Sequence, residues 1–142
     1  MGYTHYWTIK DAASWRKCLP QLVDDSGLII KHSGVAICGN DYDLPPMLDK
    51  DEGISINGKD DGFEPFCLAL DEGFDFCKTG RRPYDLVVCA ILLRAHQLAP
   101  KVLDIHSDGR WNEVGWRNAR ELINQLWPDE AVTCPWGDAP DE

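Results

Sequence analysis

Residues 76–98 of the chain read FCKTGRRPYDLVVCAILLRAHQL, and this stretch decides much of the fold. From Tyr84 to Leu98 the apolar residues occupy nearly every side of a helix, as is typical of helices buried in a protein core. Pro83 suits the first helical position, where its missing N–H would have had no acceptor. The sequence therefore predicts a buried helix over residues 84–98 that packs across the face of a sheet.

The loop in front of this helix is basic, although the chain has a formal net charge of -10. It carries Lys78, Arg81 and Arg82 together with the hydroxyl of Thr79. The start of a helix has backbone N–H groups without acceptors and the positive end of the helix dipole, so it is suited to an anion. We interpret the loop as a candidate phosphate or carboxylate site. In it, Thr79 and the amides would bind oxygen atoms and an arginine would make a two-pronged contact.

A structural role for these cations stays open, because acids such as Asp75 and Asp85 flank the loop and would neutralise them. Tyr84 and Asp85 open the predicted helix, and both belong to the candidate site. The helix dipole alone favours an acid in the first turn. In a functional role, the Asp85 carboxylate would orient Arg81 or Arg82, or would accept a hydrogen bond from a ribose hydroxyl.

The N-terminal segment alternates and is rich in aromatic and β-branched residues, which predicts a strand. Alternation places His5 and Trp7 with Tyr3 on one face, and Thr4 and Tyr6 on the other. One face must belong to the core. The other is suited to stack on a base or a sugar, because aromatic faces bind flat rings. For His5, Tyr6 and Trp7 two roles stay open: they line a ligand-binding site, or they pack in the protein core.

A short polar motif, Ser107 to Gly109, follows a predicted strand and precedes a predicted helix. Asp108 is placed to accept protons from a ribose or a base, or to close the turn with its side chain. Ser107 and Asp108 are therefore candidate ligand contacts, with the turn as the alternative role.

The rest of the pattern predicts two more helices, one from Asp11 to about His32 with a break or kink at Pro20, and one from about Glu113 to Leu126. Residues 41–52, with their prolines and acids, predict a loop. Asn-Gly and Asp-Gly turn signals between short β-rich segments predict antiparallel hairpins. The segments are residues 35–38, 53–58, 63–70, 74–77 and 102–105.

The expected fold class is α+β, with a mainly antiparallel sheet covered by about three helices. We expect a single domain over residues 1–128 and an acidic, mobile tail over residues 129–142.

Composition limits the cellular context. The six cysteines form no CxxC pair, the N-terminus lacks a secretory pattern, and no apolar run approaches the length of a membrane span. A reduced, cytoplasmic protein is the expectation. The acid excess disfavours binding to nucleic acid or to an anionic membrane, so we expect neither as a partner.

Catalytic and metal-binding motifs are missing from the local sequence. The four histidines, His5, His32, His96 and His106, lack the spacing of a metal site. Neither GxxxxGK[ST] nor a GxGxxG after a strand occurs. We expect no metal and no cofactor, and the balance is against an enzyme. An acid–base pair formed in space by His5 and Asp108 stays open.

Three blocks in this order resemble a family of small, mostly uncharacterised proteins of phages and their bacterial hosts. They are MGYTHYW (residues 1–7), FCKTGRRPYD (residues 76–85) and SDG (residues 107–109), with Trp116 behind the last. The similarity spans nearly the whole chain. It implies a counter-defence protein in the cytoplasm of the bacterial host, and some such proteins sequester the nucleotide messengers of bacterial immune systems.

The leading hypothesis is a protein that binds and sequesters a phosphorylated small molecule, such as a nucleotide or an ADP-ribose-like immune messenger. The cations of the basic loop would hold phosphate. Tyr6 or Trp7 would stack on the base, and Asp85 or Asp108 would accept ribose hydroxyls.

Two alternatives stay open. One is a nucleotide phosphodiesterase or hydrolase that uses His5 or His106 as acid and base, with the same arginines on phosphate. The other is an acidic protein inhibitor of a host enzyme. A ligand shared across a homo-oligomer would suit sequestration, and the sequence leaves the oligomeric state open.

Overall fold

The computed structural model describes residues 2–137, and within them the chain forms seven strands and three helices. The expected α+β class is confirmed. In chain order the elements are β1 (Thr4–Ile9), α1 (Ala12–Ser33), β2 (Ile37–Cys38), β3 (Met47–Asp49), β4 (Gly53–Gly58), β5 (Phe66–Leu68), β6 (Gly73–Lys78), α2 (Asp85–Leu98), β7 (Leu103–Ser107) and α3 (Val114–Leu126).

The first sheet brings the three sequence blocks together. Its strand order is β6-β1-β7, with both pairings antiparallel. His5, in the central strand, lies opposite Cys77 on one side and Ser107 on the other. The ends of β6 and β7, with the loops that follow them, therefore meet at the N-terminal end of β1.

The remaining strands form a second antiparallel sheet, in which β4 pairs with β2, β3 and β5. The strands are thus divided between two small sheets instead of one. β3 lies inside residues 41–52, where the sequence predicts only a loop. That prediction is wrong for Met47–Asp49, because pairing with β4 orders the segment despite its polar surroundings.

The apolar helix α2 is buried as the sequence predicts. Its residues from Val87 to Ala95 are buried, and α2 packs against both other helices and β7. In α1, Asp11 caps the first turn by accepting a hydrogen bond from the Ser14 amide. Pro20 does not end α1, because the apolar stripe that includes Trp15 and Leu22 stays buried on both sides of it.

The segment after α3 differs from the mobile tail expected from residue 129. Glu130 pairs with Arg94 at 2.7 Å, and the Trp136 ring packs at 5.2 Å from that of Trp116. Val132 and Cys134 also pack against the core. The sequence gives no sign of this, because the partners lie on distant elements. Residues 138–142 of the expected tail lie outside the described residues.

No helix within the described chain has the length and apolar character needed to span a membrane.

Candidate functional site

A buried polar network joins β1, β7 and the start of α2. His5, in the centre of the first sheet, is fully buried and places Nε2 2.7 Å from Asp85 Oδ1. Its Nδ1 lies 2.7 Å from Ser107 Oγ. The Thr79 hydroxyl, also buried, donates to Asp85 Oδ1 at 2.6 Å. The strand register positions these groups, because it sets Ser107 beside His5 and ends β6 just before Thr79.

The hydrogen bonds define where the protons lie. Ser107 Oγ accepts from the Trp116 indole N–H at 3.0 Å and from the Gly109 amide at 2.9 Å. A hydroxyl oxygen has two lone pairs, so its own hydrogen is left to donate to His5 Nδ1. The proton of the neutral imidazole is then on Nε2, which donates to Asp85. The network is thus complete with His5 neutral in one tautomer.

In this network Ser107 donates to His5 and His5 donates to Asp85, which is the direction of hydrogen bonding in a hydrolase triad. Ser107 is nevertheless not arranged as a nucleophile. A nucleophilic serine needs a free lone pair to attack a substrate. Both lone pairs of Ser107 Oγ already accept hydrogen bonds from Trp116 and Gly109. The network therefore acts as a structural link, which ties the start of α2 to β1 and β7.

The same network contains the spacing of a metal site. Cys89 Sγ lies 3.4 Å from His5 Nε2 and 3.6 Å from Asp85 Oδ2, and the three ligand atoms are within 4.8 Å of one another. Metal ligation needs a deprotonated imidazole nitrogen and a thiolate. Here Nε2 carries the proton, and burial raises the pKa of the Cys89 thiol well above its usual range. A metal bound to this trio would therefore have to displace both protons.

A cavity of about 240 Å³ lies beside the network, between the start of α2 and the start of α3. It brings Arg81, Arg82 and Asp85 together with Tyr3. The sequence predicts Arg81, Arg82 and Asp85 as site residues, and all three line this cavity. From α3, the cavity is lined by Val114, Gly115 and Asn118, which the sequence reasoning missed.

Arg81 has a strained backbone and a well-defined side chain. Its φ of 59° lies in the left-handed region, directly after Gly80 at 60°. A side chain in this region is unfavourable by roughly 1–2 kcal/mol. The guanidinium lies over the Tyr3 ring, 3.8 Å from its centroid, and donates to Glu113 at 3.2 Å. These two contacts direct Arg81 towards the start of α3.

The second arginine and the lysine of the loop have different surroundings. Arg82 pairs with Asp61 at 2.8 Å and lies near the Phe63 ring. The Lys78 ammonium lies 5.9 Å from the centroid of the same ring, and Lys78 does not line the cavity. The acids that pair with Arg81 and Arg82 are thus Glu113 and Asp61, not the adjacent acids that the sequence suggests.

The start of α2 does not offer the free amides that the sequence predicts. The N–H groups of Asp85, Leu86 and Val87 donate to carbonyls of the preceding turn, at 2.8, 3.4 and 3.0 Å. The hydroxyl of Thr79 is likewise occupied by Asp85. Tyr84 is buried and its hydroxyl donates to the Glu64 carbonyl. Thr79, Tyr84 and the α2 amides are therefore not placed to contact an anion.

The start of α3 faces the cavity, with the Asp85 carboxylate beside Gly115 and Glu113 as the N-cap residue. The first N–H groups of an α-helix have no acceptor within the helix. The N-cap residue Glu113 makes no capping hydrogen bond with its side chain, which contacts Arg81 and the Arg110 amide instead. Val114 and Gly115, the first helical residues, line the cavity. The basic residues that line the cavity, Arg81 and Arg82, precede α2 in the sequence, so the sequence pattern indicates α2.

Tyr3 adds an unusual feature to the cavity wall. The residue is 4% exposed, and its hydroxyl has no hydrogen-bond partner among the described residues. Burial, with the nearby Cys89, Asp85 and Glu113, raises the pKa of this phenol. The hydroxyl therefore keeps its proton, which no group within residues 2–137 accepts.

The other candidate residues lie elsewhere. Trp7 is in the core, with its ring 5.1 Å from that of Phe66. Tyr6 lies on the opposite face of the sheet, where its hydroxyl donates to Asp108 at 3.1 Å. Asp108 also accepts from the Thr4 amide, which closes the turn after β7. The sheet thus separates Tyr6 and Asp108 from the cavity, and His5 meets Asp85 instead of Asp108.

No family model, no curated protein and no solved structure matches the chain.

Proposed function

We propose that the protein binds and sequesters a phosphorylated small molecule, of the nucleotide or ADP-ribose type, in the cavity between α2 and α3. The observation that carries this proposal is that Arg81, Arg82 and the start of α3 converge on one cavity. Two guanidinium groups and the positive end of a helix form a typical environment for phosphate.

The present partners of the two arginines are exchangeable. The side chains of Arg81 and Arg82 are 57% and 43% exposed, and those of Glu113 and Asp61 are 34% and 51% exposed. Ion pairs this exposed contribute about 0–1 kcal/mol. A bidentate arginine–phosphate contact is stronger, so a phosphate would replace the carboxylates at little expense.

Sequestration is favoured over hydrolysis by the state of the acid–base groups. His5 is enclosed by Asp85, Ser107 and Cys89, and its two nitrogens are both occupied. His106 lies in β7 directly opposite Tyr6, whose side chain is on the sheet face away from the cavity. Neither histidine is placed to transfer a proton to a phosphate held by Arg81. In the setting implied by the sequence resemblance, the ligand would be an immune messenger in the bacterial host.

The test is to mix the purified protein with a panel of cyclic and linear nucleotides and ADP-ribose derivatives, and to record mass shifts by native mass spectrometry. The bound compound is then released by denaturation and identified by chromatography. We expect an intact compound. A chemically altered product would show hydrolysis and contradict sequestration.

Matched arginine variants locate the site. Arg81→Ala and Arg82→Ala should each weaken binding by about ten- to a hundredfold, the range for a charge-assisted contact. Arg16→Ala is the control, because Arg16 is also exposed and ion-paired, with Asp71, but does not line the cavity. Wild-type affinity in both Arg81→Ala and Arg82→Ala would exclude this cavity as the binding site.

A further inference from the structure

We propose that the cavity recognises a hydroxyl group of its phosphorylated ligand, and that Tyr3 and Asp85 determine this specificity. The inference rests on the proposed function. It narrows the recognised part of the ligand to a phosphorylated sugar, with any attached base outside the cavity.

Tyr3 supplies the hydrogen-bond donor. Its hydroxyl is buried, lacks a partner among the described residues, and keeps its proton. Buried polar groups without a partner are rare in folded proteins, and each one needs a physical reason. A group on a bound ligand that accepts from this hydroxyl would be such a reason.

Asp85 supplies the acceptor. Its Oδ1 is fully used, with donors from His5 at 2.7 Å and Thr79 at 2.6 Å. Within residues 2–137, its Oδ2 accepts only from the Cys89 thiol, a weak donor, at 3.6 Å. Each carboxylate oxygen accepts two hydrogen bonds, so Oδ2 has capacity left for a ligand.

Donor and acceptor meet at Gly115, which lines the cavity. A Cβ atom on Gly115 would lie 2.8 Å from Asp85 Oδ2 and 3.6 Å from the Tyr3 hydroxyl oxygen. A ligand group near both must accept from Tyr3 and donate to Asp85. A hydroxyl does both, whereas a phosphate oxygen would be repelled by the carboxylate and an ammonium group has no lone pair to accept with.

The size of the cavity limits what else it holds. At about 240 Å³ it is smaller than the sites of roughly 300–1,000 Å³ that enclose drug-sized ligands. The Tyr3 ring is covered by the Arg81 guanidinium and Trp7 lies in the core, so neither ring is placed to stack on a base. A sugar phosphate fits this description, with phosphate on Arg81 and Arg82 and one hydroxyl between Tyr3 and Asp85.

Isothermal titration calorimetry with two small probes tests the inference. Ribose 5-phosphate carries the hydroxyl groups, and tetrahydrofurfuryl phosphate keeps the ring and the phosphate without them. The wild-type protein should bind ribose 5-phosphate at least about tenfold more tightly. Tyr3→Phe should remove this difference by weakening only the ribose 5-phosphate complex. Its melting temperature should be equal to or above that of the wild type, because the variant loses an unpartnered buried hydroxyl.

Tyr6→Phe is the matched control, since its hydroxyl lies on the other face of the sheet. It should bind both probes like the wild type. If the wild type binds the two probes equally, and Arg81→Ala weakens both, the hydroxyl inference is wrong while the proposed function stands. Equal weakening of both probes by Tyr3→Phe would also overturn it. If neither probe binds at millimolar concentration, the hydroxyl inference fails, whereas the nucleotide panel decides the proposed function.

Discussion

His5 Nε2 lies 2.7 Å from Asp85 Oδ1, and the two residues are 80 positions apart in the chain. Both side chains are buried. Because Asp85 is the first residue of α2 and His5 lies in the central strand of the first sheet, this contact fixes where the buried helix begins relative to the sheet. It also leaves the second carboxylate oxygen of Asp85 beside Gly115, and both residues line the cavity. Stability and the proposed binding thus depend on the same side chain.

Replacing this acceptor should destabilise the fold strongly. In Asp85→Ala the donors of His5 and Thr79 lose their acceptor, and each buried donor left unpaired costs roughly 1–3 kcal/mol. We expect a loss of about 2–5 kcal/mol in the free energy of unfolding, measured by urea denaturation. Asp85→Asn keeps an oxygen in place and should lose clearly less. Equal losses in the two variants would show that the oxygen acceptor is not what matters.

Sequence patterns that depend on neighbouring residues predict this fold well. The apolar run after Pro83 predicts α2 to within one residue, and the alternation of β1 correctly separates His5 and Trp7 from Tyr6. The division into two sheets is a matter of pairing between strands distant in sequence. Strands as short as β2 and β3 carry no signal for their partner.

The candidate site is less accessible to sequence reasoning, because its ion pairs are non-local. Arg81 and Glu113 are 32 positions apart, and Arg82 and Asp61 are 21 apart. Asp75 and Asp85, the acids adjacent to the basic loop, carry the same carboxylate group as Glu113 and Asp61. The residue types alone therefore do not show which acid pairs with which arginine. The turn carbonyls that occupy the α2 amides are likewise set by backbone conformation, which the residue types do not reveal.

The buried Arg94 should contribute much more to stability than an exposed arginine. Its guanidinium donates to the buried Asp25 at 2.8 Å and to Glu130 at 2.7 Å, and lies 4.0 Å from the Trp127 ring centroid. Arg94→Met leaves Asp25 without its cation, and such losses cost about 3–5 kcal/mol. The exposed pair of Arg16 and Asp71 is the control, and Arg16→Met should lose only about 0–1 kcal/mol.

Urea denaturation of both methionine variants measures this difference. Glu130, a partner of Arg94, belongs to the segment after α3. A truncation after residue 128 removes this partner and should therefore also lower the free energy of unfolding. Similar stability of Arg94→Met and Arg16→Met would show that the buried pair contributes nothing beyond an exposed one.

Two cysteines should resist thiol reagents in the native protein. Burial raises the pKa of the Cys77 thiol to about 12 and that of Cys89 well above its usual range. Because the thiolate is the reacting form, both should stay unlabelled by a maleimide at about pH 8, and should react after unfolding in urea. Peptide mass spectrometry identifies the labelled sites, with the half-buried Cys134 as the internal comparison. Rapid native labelling of Cys77 or Cys89 would contradict their burial.

His96 should make the fold less stable as the pH falls below neutrality. Burial lowers the pKa of His96 in the folded protein below its usual value of about 6.5. Between the two pKa values the unfolded chain binds more protons at His96, so the free energy of unfolding decreases as the pH falls through this window. Above about pH 6.5 this contribution is fully present.

Comparison with His96→Gln isolates the effect of this one histidine. The difference in unfolding free energy, wild type minus variant, should decrease as the pH is lowered from about 7.5 to 5, measured by urea denaturation at each pH. A difference that stays constant, or increases, would mean that His96 is not held neutral by the fold.

The left-handed backbone of Arg81 separates its role in the fold from its role in the proposed site. Arg81→Ala and Arg81→Gly both remove the contacts with Tyr3 and Glu113. Only glycine adopts a φ of 59° without steric strain, so Arg81→Gly should be more stable than Arg81→Ala by about 1 kcal/mol in urea denaturation. Both should lose affinity for ribose 5-phosphate to the same extent, because neither presents a guanidinium to phosphate. Equal stability of the two variants would show that the turn is not strained. Wild-type affinity in Arg81→Gly would show that phosphate is held without this residue.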